Sequence, residues 1–379
     1  MRRLLLAALL ALACGPLATA PASAHKPSDS YLVLDVRNGV ISGQWDIALR
    51  DLDHAIGLDG DDDGALTWHE VRGHHDAIAA FALSHLRISR GDARCATGAV
   101  SHLIDEHSDG AYAVLRFDVR CPSTGGPVRI EYSLFFDLDP QHRGLLRLID
   151  GDGTLTAIFS PSQPTIALDA DAASPWRQLV DYVEEGVWHI WIGFDHILFL
   201  LTLLLPSVLL RDGSGWRPVA RFRQAFVQVL KIVTAFTVAH SLTLSLAVLG
   251  AVTPPSRLVE SLIAFSVMIA GANNVVPVVT RYLWGVAFGF GLIHGFGFAS
   301  VLVDLGLPRS ALTLALFGFN LGVELGQLAL VAAFLPFAFL LRRTGGYRRW
   351  LMPAGSLTVA GIATLWLVER SLDVRVAWV

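Results

Sequence analysis

The stretch Val187-Trp-His189-Ile-Trp-Ile-Gly193-Phe-Asp195-His196-Ile-Leu-Phe-Leu-Leu-Thr-Leu-Leu-Leu-Pro206-Ser-Val-Leu-Leu210 decides the fold class. As a helix rising about 1.5 Å per residue it is long enough to cross a hydrocarbon core of about 30 Å. Five more apolar runs follow it: Phe226–Gly250, Leu258–Val276, Tyr282–Leu305, Ala311–Leu341 and Trp350–Val368. The expectation is an all-α polytopic membrane bundle of about six transmembrane helices over residues 187–370, with a short tail at 371–379. Composition agrees: the chain is 53% hydrophobic and only 16% charged, against about 25% charged in soluble domains. A net charge of −4 with no basic face excludes nucleic acid as a partner.

The arginines orient the bundle. The loop after the first run holds Arg211, Arg217, Arg221 and Arg223 against Asp212, and the loop before the last holds Arg342, Arg343, Arg348 and Arg349. The loops around Arg257 and Arg309 are short and nearly neutral. The positive-inside rule puts both clusters in the cytoplasm, and six spans satisfy both at once.

Everything before the bundle is then exported. Arg2 and Arg3, the apolar stretch Leu4 to Ala13 and the Ala22-Ser23-Ala24 cleavage site read as a signal peptide over residues 1–24. The setting is a bacterial inner membrane with an extracytoplasmic N-terminal domain. Cys95 and Cys121, the two cysteines left after cleavage, are expected to form a disulfide in that oxidising compartment.

Residues 25–170 alternate with period two around Tyr31, Tyr112 and Val128, and turns such as Asn38-Gly39 and Asp109-Gly110 break them up. This predicts a mainly β domain, a small sandwich, with a helical insertion from about Ile47 to Leu86. Residues 171–186 read as a linker. Within the insertion, Asp59-Gly60-Asp61-Asp62-Asp63-Gly64-Ala65-Leu66-Thr67-Trp68-His69-Glu70 fits the twelve-residue EF-hand loop. Asp59, Asp61 and Asp63 stand at positions one, three and five, and Gly64 makes the turn. Ala65 offers its carbonyl, Thr67 stands at nine, and Glu70 closes the site at twelve. Ca2+ in a structural role is the expectation. Asp150-Gly151-Asp152-Gly153 lacks the closing Glu and reads as a turn.

Ionisable side chains inside a bilayer are costly and mark function. The first run carries His189, Asp195 and His196, the second His240, the fourth His294 between glycines, and the fifth Glu324. Asn320 and Gln327 align with Glu324 on one face, and Glu260 and Asn274 lie nearer the ends of the third run. His189 and His196 share a helix face but stand about 10.5 Å apart along a straight helix. Either the helix bends near Gly193 or the two serve successive sites. Thr237, Ser241, Thr243 and Asn273 read as ordinary interhelical hydrogen-bond formers. Imidazole with carboxylate suits a divalent transition metal such as nickel, copper, zinc or iron, and no Cys or Met stands among these candidate ligands to favour copper(I).

At His189, Gly193, Asp195 and His196 the chain resembles the HupE/UreJ family of bacterial membrane proteins, linked to hydrogenase and urease accessory functions and proposed to move nickel. That family's pattern has Pro after the first histidine, where this chain has Ile190. The glycine-flanked His294 resembles a later histidine motif of the family. The resemblance covers the membrane half from Val187. The exported half, beginning Ala24-His25-Lys26-Pro27-Ser28-Asp29-Ser30-Tyr31, resembles a longer branch of the same grouping.

Three functions follow. A divalent-metal permease or metal-handling accessory protein, with nickel implied by the resemblance, would use His189, Asp195, His196, His240, His294 and Glu324. An intramembrane metal-dependent hydrolase would use the histidines for one metal and Asp195 or Glu324 as base. A non-catalytic assembly or sensing protein would present the exported domain to an envelope partner, and a mature N-terminal His25 adds a copper(II) chelate. No nucleotide-binding loop is visible, and a transporter or accessory protein is expected over an enzyme.

Overall fold

The computed structural model describes residues 29–37, 40–61, 63–107, 110–122, 126–150, 153–168, 174–212, 215–299 and 309–372. The signal peptide, His25 and most of the C-terminal tail lie outside these. So do Asn38-Gly39, Asp109 and Gly151-Asp152. The chain divides into two compact units, with the main boundary between Asp181 and Tyr182 inside the first helix of the bundle and residues 309–315 grouped with the first unit.

The first unit is mainly β, as the period-two stretches predict. Its elements are β1 (Asp29–Arg37), β2 (Val40–Ala48), α1 (Leu49–Ile56), α2 (Trp68–Gly73), α3 (His75–Ser84), β3 (Leu86–Arg90), β4 (Ala93–Arg94), β5 (Ala96–His107), β6 (Gly110–Arg120), β7 (Val128–Tyr132), β8 (Arg143–Asp150), β9 (Gly153–Phe159) and β10 (Thr165–Leu168). One sheet has the order β5-β6-β2-β1-β8-β9 and the other β10-β7-β3-β4. Within the first sheet β1 runs parallel to β8, and the other neighbours are antiparallel. Leu32, Leu34, Trp45, Ile47, Leu115 and Phe117 of that sheet share one core with Ile88, Ile130 and Tyr132 of the other. Period-two alternation aims these side chains inward. Tyr132 also ends a buried polar chain: Trp45 Nε1 donates to Ser30 Oγ, which bonds the Tyr132 hydroxyl, and that hydroxyl lies 2.5 Å from His142 Nε2. Burial, with Arg143 nearby, lowers the His142 pKa to about 3.

The helices α1 to α3 form the insertion expected between β2 and β3. Cys95 and Cys121 are joined in a disulfide, beside the Ala96–Arg120 pair at the open end of the β5–β6 hairpin.

The second unit is helical, with α4 (Pro175–Ile192), α5 (Phe194–Leu204), the hairpin β11 (Leu209–Asp212) and β12 (Gly215–Pro218), α6 (Phe222–Val248), α7 (Ser256–Val275), α8 (Leu283–His294), α9 (Arg309–Leu341) and α10 (Met352–Leu372). A π-helical turn, Tyr347–Leu351, leads into α10. Residues 175–186, read from the sequence as linker, are part of α4.

Four spans are long and apolar enough to cross a membrane: Phe222–Val248, Ser256–Val275, Leu312–Leu341 and Tyr347–Leu372. A fifth is counted only if α4 and α5, bent by 72° at Gly193, form one traverse. Of the about six spans expected, four, or five with the bent pair, are seen among the described residues. The first run is broken. The fourth holds the helix Leu283–His294, about 18 Å long, and its last residues, 300–305, lie outside the described ones. After His294, Phe296 N and Gly297 N bond three residues back, to Ile293 and His294, and the helix tightens into a turn.

The two arginine-rich loops meet at one end of this unit. Arg348 Nη1 donates to Trp216 O, Arg342 Nε to Val219 O, and Tyr347 Oη to Leu205 O.

Candidate metal centre

Glycine builds the site. Gly193 is the one residue between α4 and α5, yet it loses neither ladder: its N–H bonds His189 O at 3.1 Å, and its carbonyl accepts from Ile197 N at 3.0 Å. A Cβ there would lie 2.7 Å from His189 O and 2.8 Å from His196 Nδ1. Only glycine leaves room for the second imidazole to fold against the turn that carries the first. The bend resolves the sequence alternatives: the His189 and His196 rings come to 4.6 Å between centroids. Glycines also seat the neighbouring helices. A Cβ on Gly186 or Gly322 would collide with the backbone across the α4–α9 crossing, and one on Gly291 or Gly295 with the α6 backbone at Phe236 or His240.

His240, on α6, lies 6.2 Å from His189 and 6.5 Å from His196 between ring centroids. One nitrogen from each of His189, His196 and His240 falls in a group whose members all lie within 4.8 Å of one another. His294, at the end of α8, is 5.3 Å from His196. His196, His240 and His294 are buried and His189 is half-buried. Phe199, Phe236, Phe298 and Phe319 pack against these rings.

The hydrogen bonds fix how two imidazoles present themselves. Asn320 Nδ2 donates to Leu316 O at 2.8 Å, so its Oδ1 faces His240 Nδ1 at 3.2 Å as acceptor. The proton of a neutral His240 therefore sits on Nδ1, and Nε2 keeps its lone pair. Ser266 Oγ gives its one proton to Ile263 O at 2.7 Å, so at 2.9 Å it accepts from His294 Nε2. The lone pair of His294 is then on Nδ1. The atoms left over, His240 Nε2, His294 Nδ1, His189 Nε2 and both nitrogens of His196, are buried with no hydrogen-bond partner among the described residues. Unpaired buried polar atoms are costly and rare, and here they cluster. The donor set fits a late first-row divalent ion bound by neutral nitrogens.

The other residues singled out in the sequence stand apart. Asp195 turns away to pair with Arg370 at 3.1 Å, and Arg370 also donates to Glu260 O. Glu324 Oε1 accepts from Thr234 at 2.7 Å while its Oε2 is buried without a partner among the described residues. Gln327 accepts from Thr237. Asn274 donates to Thr202 O and Ser356 Oγ, a stitch between helices. Ser266 and Arg370 escaped the sequence reading. A lone serine in an apolar run carries no signal, but Arg370, at the end of the last run, was a partner in waiting for Asp195.

In the first unit, Asp59, Asp61 and Glu70 bring one oxygen each within 4.8 Å of the others. Gly64, at φ +80°, makes the turn. Asp63 Oδ1 accepts from Ala65 N, so its side chain is occupied inside the loop. Thr67 and Glu70 form a capping box at the start of α2. Hydrogen bonds from Thr67 and Gly60 lower the Glu70 pKa, whereas the charge of Asp63 raises that of Asp61. Asp59 Oδ1 is buried with no partner among the described residues, an oxygen that a cation would satisfy.

A protein-family model described as HupE / UreJ protein matches residues 165–370, more than half of the chain. The chain belongs to the HupE/UreJ family. Comparison with curated proteins gives no match. The HupE/UreJ family is associated with metal transport or accessory function, and with its apolar helices this member is an integral membrane protein.

Proposed function

We propose that this HupE/UreJ protein is an inner-membrane divalent-metal permease or metal-handling accessory protein, with nickel the favoured ion. The observation that carries the reading is the convergence of His189, His196 and His240, three imidazoles from three helices with ring nitrogens that no other described residue satisfies. His294 stands beside them as a fourth donor. Asp195 orients the bend through Arg370, and Glu324 serves further along α6 and α9, on the side away from the exported end.

The proposed orientation puts the arginine-rich end in the cytoplasm and the N-terminal β unit outside. His240 lies about 27 Å along α6 from its first residue, Phe222. The histidines then sit in the outer half of the membrane, where an ion arrives from the exported side. We further propose that Asp59, Asp61 and Glu70, with Thr67 and the Ala65 carbonyl, hold a structural Ca2+. The hydrolase reading has less support: Asp195 is tied to Arg370 and Glu324 lies outside the triad, so among the described residues no free base stands next to it.

Uptake of nickel and of other divalent ions into cells expressing the protein, or its His196→Ala variant, tests the main reading. Accumulation of one metal that vanishes in the variant supports it. No uptake, with a stoichiometric metal retained by the purified protein and lost in the variant, refutes transport. Chelating calcium should lower the melting temperature of the β unit within the intact protein; an unchanged transition refutes the calcium site.

A further inference from the structure

A cavity of about 110 Å³ opens at the arginine-rich end of the helical unit, between α5, the β11–β12 hairpin, α6, α7 and α8. Its inner wall is apolar, formed by Leu203, Leu283 and Phe290 among others. Its rim is polar, and most of the rim is already engaged. Asn273 caps the turn that follows α7, donating to Val279 O and accepting from Val278 N and Val279 N. Asn274 is held by Thr202 and Ser356. Two rim side chains keep their donors: Arg211 and Gln228 make no hydrogen bond or ion pair among the described residues. The Arg211 guanidinium lies 5.5 Å from the centroid of the Trp216 ring, and Arg348 and Arg342 hold that hairpin in place by bonding Trp216 O and Val219 O.

An apolar slot ending in a guanidinium and an amide that have no partner among the described residues, with a tryptophan at the end of the spans, complements an amphiphile with an anionic head. A metal ion is a poor fit, for no carboxylate or imidazole lines the cavity among the described residues. We propose that this cavity is a binding site for an anionic phospholipid of the facing leaflet. Arg211 and Gln228 hold the phosphate, Trp216 lies against the glycerol region, and one acyl chain runs along Leu203, Leu283 and Phe290.

The test uses the purified full chain in neutral detergent. Binding of phosphatidylglycerol, phosphatidylcholine and glycerol phosphate is measured by native mass spectrometry and by the shift in thermal unfolding. Phosphatidylglycerol should bind best, and Arg211→Gln should weaken it by about tenfold or more, the loss expected of one charge-assisted hydrogen bond. Arg343→Gln, an exposed arginine at the same end but outside the cavity, should leave it within about twofold, the scale of a screened surface charge. Should Arg211→Gln fail to fold, Gln228→Met tests the same site from α6 and should also weaken binding. The proposal is overturned if the cavity variants bind phosphatidylglycerol like the unaltered protein, if Arg343→Gln weakens it as much as they do, if phosphatidylcholine binds equally well, or if glycerol phosphate alone matches the lipid.

Discussion

Replacing Asn320 with leucine should weaken metal binding although Asn320 touches no metal. Its carboxamide is locked by the bond from Nδ2 to Leu316 O, and its Oδ1 in turn holds the His240 proton on Nδ1. Leucine is close in size but accepts nothing. The His240 Nδ1–H then loses its partner, the ring is free to rotate, and the tautomer with its proton on Nε2 blocks the ligating lone pair. Loss of an orienting partner behind a metal-binding histidine typically costs about 10–100-fold in affinity, or about 1.4–2.8 kcal/mol. Nickel titration of the purified protein by calorimetry is the assay. Asn320→Asp is the comparison, because a carboxylate still accepts from Nδ1 and should bind at least as tightly. If Asn320→Leu binds within about twofold of the unaltered protein while His240→Ala abolishes binding, the tautomer reasoning is wrong.

Three further outcomes follow. Gly193→Ala places a methyl group 2.8 Å from His196 Nδ1, so the bend must shift and metal binding should fall even though no ligand is removed; calorimetry checks it. His142 titrates near 6.5 when unfolded and near 3 when folded, so the unfolded chain takes up the extra proton and stability falls as pH drops through that window. At pH 5 the β unit should be about 2 kcal/mol less stable than at pH 8, read from hydrogen-exchange protection of β1 and β2 after correction for intrinsic rates; equal protection would contradict it. Cys95 and Cys121 are 26 residues apart, and the loop entropy alone makes their disulfide worth about 3.5 kcal/mol. Alanine at both positions should lower the denaturant midpoint of the β unit accordingly, and thiol labelling of the unfolded, unreduced protein should find neither cysteine free.

The histidines were legible in the sequence because bilayer physics makes them conspicuous: an imidazole in an apolar run needs a reason. Their assembly was half legible. The seven-residue spacing of His189 and His196 allowed a bend at Gly193 or two separate sites, and tertiary packing chose the bend. The carboxylates misled for a related reason. Asp195 stands next to His196 in sequence, but successive helical residues point about 100° apart, and Arg370, 175 residues away, claims it. The continuity of the spans was not legible, because mean hydropathy registers an apolar run whether or not its helix is continuous: α4 and α5 bend by 72° at Gly193. Glycines, which carry the helix crossings here, also end α8. In the β unit, period two was enough for β1, β6 and β7, yet the parallel pairing of β1 with β8 has no local signal. Such a long-range choice is settled by the shared core.

The protonation pattern of the histidines has a consequence for how long an ion stays. His240 and His294 offer bare lone pairs while their other nitrogens keep their protons. Binding through them displaces no proton, and Asp195 is already spent on Arg370. A divalent ion in this nest would keep its full double charge inside a poorly polarisable surrounding of phenylalanine rings, with no counter-charge among its ligands. Coordination rewards arrival, and the uncompensated charge penalises residence. Such a site makes a shallow well, suited to an ion in passage more than to one in storage.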